Sequence, residues 1–490
     1  MISRIDAAVA RSWFSRALGA LAAARPQIDA LNVFPVQDSD TGTNVVLTLS
    51  AGARATQELA EDSPLGELTA ALAEGALWGA RGNSGVILAQ ALQAMARTFE
   101  GRDAVGPVEL IRAFDAVAQA AWAALAQPVE GTIVSVTRDV AAAVLPLGPR
   151  VTIQDVARTA LLAGHESLGR TTEQLAALRG SGMVDAGALC FVILLDALAA
   201  TVGAPDVPHP DWLAGAAAAP SDHGPLEGFE VMYVVRASHR QATTLRMHLT
   251  EVGNSVVVVR GKSDVWHVHV HLEHPARALS DLPMSQVCVR RLDTPPREVG
   301  IVATTTAPQL LEPLAAAGAV AILGAEPHTV ARAIIDTGAA EVIVLPCSDH
   351  AAASAAAARR DPVVLADGIS VTLAPTSDDL AVLESVGILG GASGWTLADQ
   401  LEAVRAAVEA SATYRVEGAD ARTLEAEIGV LAARLAELRP GVVSVLVGGA
   451  VGAHRAASHL AALLRAAIPD VETFVLAGGQ PEPALVVAAQ

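Results

Sequence analysis

Asp38 and Asp40 stand one residue apart in FPVQDSDTGTN, residues 34–44, and are followed at once by Thr41, Gly42, Thr43 and Asn44. Carboxylates at that spacing are hard oxygen donors suited to a divalent cation. A helix opening near Asn44 would turn its unpaired backbone N–H groups, and the positive end of its dipole, toward an anion. Together these features make a site for a metal–phosphate complex, most simply Mg-nucleotide, in which the phosphates supply the ligands that two carboxylates cannot. An EF-hand is rejected on spacing, because its Gly and acid positions would fall on Thr43 and Leu49. An Asx turn with a helix cap uses the same residues and remains the plainer alternative.

A second stretch, GARGNSGVILAQALQAM at 79–95, again leads a Gly-rich turn into a helix. It is not a Walker loop, since it holds no lysine, and Val86 stands where a nucleophile elbow around Ser84 would need glycine. Asn83 and Ser84 suit a helix N-cap, and Gly82 and Gly85 permit close backbone approach to a ligand. PVEGTIVSVTRD at 128–139 and GSGMVDAGALC at 180–190 repeat the arrangement of glycine and small polar or acidic residues before an apolar helix. Four such helix mouths imply one rim around one anionic ligand. Lys262 is the single lysine of the chain, so a phosphate-clamping ammonium has one candidate.

The elements that must position these residues follow from hydrophobic period. Up to about residue 200 apolar residues recur at helical spacing in 45–60, 66–79, 85–99, 107–126, 132–144, 153–167 and 186–201. The opening MISRIDAAVARSWFSRALGALAAARP reads as an amphipathic helix with Arg4, Arg11 and Arg16 on its polar side. This predicts an all-α domain over 1–202. The Pro-, Gly- and Ala-rich stretch 203–226 reads as a linker. FEVMYVVRA, NSVVVVRG and VWHVHVHLE are short β-type runs around a helical piece, predicting a small α/β middle domain over 227–294. From 297 to 490 apolar strands (VGIVATTT, GAVAILG, AEVIVLP, DPVVLAD) alternate with helices, ending in a further β-α-β unit. That alternation predicts an α/β C-terminal domain with a mainly parallel, covered sheet.

The 490 residues carry a formal net charge of −19, which argues against nucleic acid and anionic membrane surfaces as partners. No apolar run reaches membrane-spanning length, and the N-terminus lacks the order of a secretory signal, so a cytoplasmic location and no transmembrane segment are expected. Three separated cysteines, Cys190, Cys288 and Cys347, form no disulfide framework.

LNVFPVQDSDTGTN, GARGNSGVILAQ, PVEGTIVSV and MVDAGALCFV resemble the nucleotide-binding domain of the dihydroxyacetone kinase family. With the three-domain layout and the near-terminal VETFVLAGGQP, the chain resembles the ATP-binding subunit of bacterial fatty acid kinase. The resemblance implies an eight-helix barrel that holds ATP at one end through two Mg2+ ions. It implies Asp38 and Asp40 as metal ligands, with Asn32 as a third candidate, and Thr41, Gly42, Thr43 and Asn44 facing phosphate. Gly82, Asn83 and Ser84 would contact the nucleotide, Thr132 would lie near the γ-phosphate, and Asp185 and Gly187 would border the nucleotide. The implied reaction moves the γ-phosphoryl of ATP onto a fatty acid carboxylate presented by a separate fatty-acid-binding protein, and the implied assembly is a homodimer. A kinase of dihydroxyacetone or a similar small carbonyl compound, and a non-catalytic nucleotide-binding scaffold or sensor, are the alternatives.

Three departures stand out. Gln37-Asp38-Ser39-Asp40 replaces the family's Pro-Asp-Gly-Asp. LGAEPHTVAR and LPCSD replace the family's more polar C-terminal loops, at the surface the resemblance gives to the lipid-binding partner. His267, His269 and His271 alternate along a strand and share one face, a spacing at which imidazoles bind zinc. Relatives pair a His-x-His here with a cysteine whose place falls on Val234, so His269 and His271 are zinc candidates with Cys288 or His274 as substitutes for the missing ligand. A partly exposed polar face is the alternative.

Overall fold

In a computed structural model of the chain, the structure describes residues 2–32, 40–80, 82–125, 127–148, 150–208, 210–213, 228–261, 264–293, 297–361, 364–365, 368–418 and 421–490. Asp38, Gln37 and Ser39, and most of the expected linker, lie outside them. The chain divides into two compact units: residues 1–226 with 236–270, and residues 227–235 with 271–490.

The first unit opens with eight helices: α1 (Ala7–Ala30), α2 (Thr41–Ala55), α3 (Leu65–Trp78), α4 (Gly82–Phe99), α5 (Pro107–Ala124), α6 (Ile133–Val144), α7 (Ile153–Gln174) and α8 (Ala186–Val202). A two-stranded ribbon joins β1 (Ile5–Asp6) to β2 (Ala104–Val105). Each helix packs on the next, and α8 packs back on α1. The buried face of α1 runs Ala7, Ala10, Trp13, Phe14, Ala17, Leu21, Ala24 and Ile28, the spacing of one helical stripe. Arg11 donates to the carbonyls of Thr56 and Ala60, while Arg4 precedes the helix and donates to Ala104 O, so it does not share the polar face expected for it. Asp6 caps the helix instead, accepting from Val9 N. Small residues let these helices approach closely: a Cβ on Gly52 of α2 would lie 2.6 Å from Leu72 O of α3.

After residue 236 the same unit adds α9 (His239–Val252), capped by Ser238 and Gln241, with β4 (Asn254–Arg260) beside β5 (Val265–Leu272). Leu125 bridges to Val257, and Gln90 of α4 donates to Arg260 O.

In the second unit β3 (Phe229–Arg236), β6 (Met284–Arg291), β7 (Val299–Thr305), β8 (Val320–Leu323), β9 (Glu341–Leu345) and β10 (Ser370–Leu373) lie in the order β10-β9-β7-β8-β6-β3. The neighbours β10 and β9, β9 and β7, and β7 and β8 are parallel; β6 runs antiparallel to both β8 and β3. The strand expected at DPVVLAD is absent from its described part: Val364 and Leu365 are helical and the strand forms at β10 instead. The apolar run there is short, and such runs do not distinguish a strand from a buried helical turn. A second sheet has the order β11 (Ala412–Val416), β14 (Leu485–Ala489), β12 (Val442–Val447), β13 (Glu472–Ala477) and is mixed in direction. Strands β12 and β13 are parallel, as the closing β-α-β unit predicts, whereas β11 and β14 were not foreseen and β14 runs antiparallel to both β11 and β12. Its own core gathers Ile428, Leu435, Val443, Val445, Leu460 and Val487. The chain is therefore multidomain, helical at its N-terminal end and α/β toward its C-terminal end.

No helix among the described residues is long and apolar enough to cross a membrane. The three cysteines are buried and free.

Candidate functional site

Four helix starts meet in the first unit. Asp40 stands at the N-cap of α2 and takes 2.8 Å hydrogen bonds from Asn44 Nδ2 and, at its carbonyl, from Asn44 N. Asn44 in turn meets the start of α4. Gly82 has φ +52°, and a Cβ there would fall 2.4 Å from Asn44 Nδ2, so the approach of the two helices requires glycine. Thr41 Oγ1 and Ser84 Oγ lie 3.4 Å apart. A Cβ on Gly187, at the start of α8, would be 3.7 Å from both Ser84 Oγ and Ile133 Cβ, the latter opening α6. Thr41, Ser84, Ile133 and Gly187 thus bring α2, α4, α6 and α8 to one place.

Asp29, in the last turn of α1, is a residue that the spacing of the motif did not reveal. Its carboxylate accepts from Thr43 N at 3.0 Å and Thr43 Oγ1 at 2.8 Å. It therefore sits on the start of α2, where a helix stabilises negative charge. Burial pushes its carboxyl up, the Thr43 amide and hydroxyl pull it back, and the Asp40 charge pushes it up again. Thr43 consequently offers its first donors to Asp29, and Gly42 packs against Arg25 O and Asp29 Oδ1. Asn32 is buried just beyond α1, with its backbone amide on Asp29 O. No local pattern announces Asp29, because it belongs to the preceding helix and meets Thr43 only when α1 and α2 pack.

At the third mouth, Thr132 occupies the N-cap of α6 and donates its hydroxyl proton to Val129 O at 2.8 Å. Its oxygen lone pairs remain the part that can face a ligand. Glu130 beside it accepts from Ser135 and pairs with Arg138 at 2.6 Å, which lowers its carboxyl. At the fourth mouth, Asp185 caps α8 by accepting from Ala188 N at 2.8 Å and also takes the amide of Ile133. Burial outweighs both hydrogen bonds and pushes its carboxyl up to about 6.

Asp40, Thr41, Ser84 and Asp185 are oxygen donors of the hard kind that Mg2+ and a polyphosphate take together. They match that pair in type. Asp38, the other carboxylate of the motif, lies outside the described residues.

His267, His269 and His271 all lie on β5 and all are buried, so the expectation of a partly exposed face does not hold. A strand packed on both sides buries polar residues only with partners. His269 Nδ1 lies 2.6 Å from Asn83 Oδ1. In the second unit, His271 Nε2 is 3.7 Å from Glu230 Oε1, and Glu230 Oε2 accepts from Arg290 Nε. Glu230 is thus an acid facing His271 that the spacing of the histidines does not announce. Cys288 is buried with its thiol pushed up to about 12 by burial, and His274 pairs with Glu312 at 3.4 Å.

The DAK2 domain family matches residues 35–200, and the family of FakA-like middle domains of fatty acid kinase matches residues 227–284. Protein YloV of Bacillus subtilis is 34% identical over 270 residues, which cover 52% of this chain and 48% of YloV. An uncharacterized protein of Staphylococcus epidermidis is 30% identical over 290 residues, covering 56% of this chain and 52% of its own. The chain spans about half the length of these curated relatives. Two solved structures are slightly similar. Dihydroxyacetone kinase from C. freundii with AMP-PNP and Mg2+ has TM-score 0.31 and 19% identity, over 41% of this chain and 35% of its own. The Streptococcus pneumoniae Fatty Acid Kinase B3 protein loaded with linoleic acid has TM-score 0.26 and 12% identity, over 34% and 76%. The resemblance carried by the four motifs is thereby borne out: residues 35–200 match the DAK2 domain family and residues 227–284 match the FakA-like middle-domain family.

Proposed function

We propose that the chain is the ATP-binding subunit of a fatty acid kinase. The observation that supports this most is the meeting of four helix starts, α2, α4, α6 and α8, around Thr41, Ser84, Ile133 and Gly187, with Asp40 and Asp185 beside them. A rim of helix N-termini favours an anion, and the acids favour the cation that accompanies it. In this reading the helices form the eight-helix barrel, Asp38 and Asp40 hold Mg2+ with Asn32 as a further ligand, and Ser84, Asn83 and Thr132 face the nucleotide. Bound Mg2+ supplies charge neutralisation of the polyphosphate. The acyl carboxylate is already ionised at neutral pH and needs no general base. Its oxygen attacks the γ-phosphorus, the bond to the bridging oxygen breaks, and ADP leaves with that electron pair. The protein's residues contribute position, dipoles and exclusion of water. The carboxylate arrives on a separate fatty-acid-binding protein. The reading extends to a homodimer in the cytoplasm and to domain limits at 202, 227, 294 and 297.

Titration calorimetry of the purified chain with ATP, with and without Mg2+, tests this beside Asp38→Ala and Asp40→Ala. Mg-dependent binding lost in both variants is expected; wild-type binding in both would remove the site assignment. Turnover is then measured with and without a fatty-acid-loaded carrier.

A nucleotide-binding scaffold without turnover is favoured by one observation. The Asp29 carboxylate already occupies the Thr43 amide and hydroxyl, which reduces what α2 can offer a phosphate. Mg-dependent ATP binding with no turnover on any loaded carrier distinguishes that reading.

A further inference from the structure

His269 of β5 and Asn83 of α4 are 186 residues apart in the chain and 2.6 Å apart at Nδ1 and Oδ1. His269 is buried at 2% exposure. An amide oxygen only accepts, so the imidazole proton must sit on Nδ1 and point at Asn83. Among the described residues the Asn83 amide nitrogen meets no protein acceptor. Fixing the oxygen fixes the other end of the amide: the NH2 group of Asn83 is held in one orientation at the opening of α4. Its neighbour Ser84 is the residue that meets Thr41 and the Gly187 turn.

We propose that His269 is a positioning residue for the nucleotide site, holding the Asn83 side chain so that its NH2 presents to an acceptor-rich ligand, the polyphosphate or ribose of a nucleotide. An unheld asparagine in the first turn of a helix turns its oxygen toward local backbone donors, which competes with ligand binding; Asn83 is the second residue of α4. A buried imidazole donor removes that competition, because leaving His269 Nδ1 unpaired would cost more than such a local bond returns. This assigns a role to the middle histidine of the His-x-His-x-His strand. The role also suits a metal ligand, since a ligating imidazole donates through one nitrogen and binds through the other.

The inference rests on the nucleotide-site reading, and the test separates the two. ATP in excess Mg2+ is titrated into the full chain as wild type, Asp38→Ala, Asn83→Ala, His269→Asn, His269→Leu and the double variant Asn83→Ala/His269→Leu. His269→Asn keeps an N–H donor near the Nδ1 position, whereas leucine fills the space without one. His269→Leu is expected to weaken ATP binding by roughly tenfold, the effect of one oriented hydrogen bond. His269→Asn should stay close to wild type, and the double variant should bind no more weakly than Asn83→Ala alone. A merely structural histidine would lower the melting temperature and leave the dissociation constant unchanged, which overturns the proposal, as do losses that multiply in the double variant. If the leucine variant fails to fold, His269→Asn decides: a loss as large as that of Asn83→Ala overturns it. Unchanged binding in Asp38→Ala would overturn the nucleotide site itself and the role of His269 with it. A loss in Asp38→Ala with none in His269→Leu removes only the latter.

Discussion

Asp185→Asn should stabilise the helical unit at neutral pH and should lose that advantage in acid. Asp185 is buried at the start of α8, and its carboxyl titrates at about 6 instead of 3.8 because burial outweighs the amides of Ala188 and Ile133. The folded chain therefore keeps this proton when the unfolded chain has released it. The stability this supplies is full below pH 4 and is lost as pH rises through 6. The displacement is worth about 3 kcal/mol when complete, and about 2 kcal/mol of it falls between pH 4.5 and pH 7. Asparagine does not titrate and remains a good N-cap, accepting the same amides through its oxygen. Its NH2 must find an acceptor, which costs about 1–3 kcal/mol if none is near and offsets part of the gain at every pH alike. The slope with pH is thus the safer quantity. Urea unfolding followed by tryptophan fluorescence reads this unit, since Trp13, Trp78, Trp122, Trp212 and Trp266 belong to it and only Trp395 to the other. Relative to wild type, the variant should gain about 2 kcal/mol between pH 4.5 and pH 7. A difference that does not change with pH, or that falls as pH rises, would refute the argument that burial governs this carboxyl. On the proposed nucleotide-site reading, a carboxylate kept there at a stability cost serves the ligand, so the same variant should bind Mg-ATP more weakly while melting higher.

Gly82→Ala should be destabilising by more than about 1 kcal/mol, because alanine is strained at positive φ and its Cβ would meet Asn44 Nδ2 at 2.4 Å; thermal melting checks this, and an unchanged melting temperature would mean that the start of α4 can move. Asp29→Ala leaves Thr43 N and Oγ1 without their acceptor and should cost about 1–3 kcal/mol in urea unfolding. If the same variant binds Mg-ATP more tightly than wild type, Asp29 competes with phosphate for the Thr43 donors, which favours the scaffold reading; unchanged or weaker binding removes the observation that favours it.

Much of the helical unit was legible. The period of apolar residues marked α2 through α8, with α7 running on to Gln174 beyond the expected 167, because each helix buries one stripe and the stripe must recur every 3.6 residues. The same pattern placed Asp40, Thr132 and Asp185 at the N-caps of α2, α6 and α8 and Ser84 in the first turn of α4, since helix starts favour short polar residues; what they bind belongs to the proposal. Asp29 and Glu230 were not found. A partly buried acid in the last turn of a helix, or a buried one at the start of an apolar strand, looks like any other until its partner arrives from elsewhere. DPVVLAD failed for a different reason: four apolar residues flanked by aspartates satisfy a strand and a helical turn equally.

What the amino-acid order determined by itself was local: which segments are helices, which are strands, and which polar residues open each helix. Those are consequences of period, propensity and capping, all of which act over a few residues. What only the tertiary structure decided was who meets whom. Thr41 with Ser84, Gly187 with Ile133, Asp29 with Thr43 and His269 with Asn83 are each set by the packing of separate elements. Close packing admits one arrangement of small residues at a crossing, and buried polar atoms admit only arrangements in which each finds its partner.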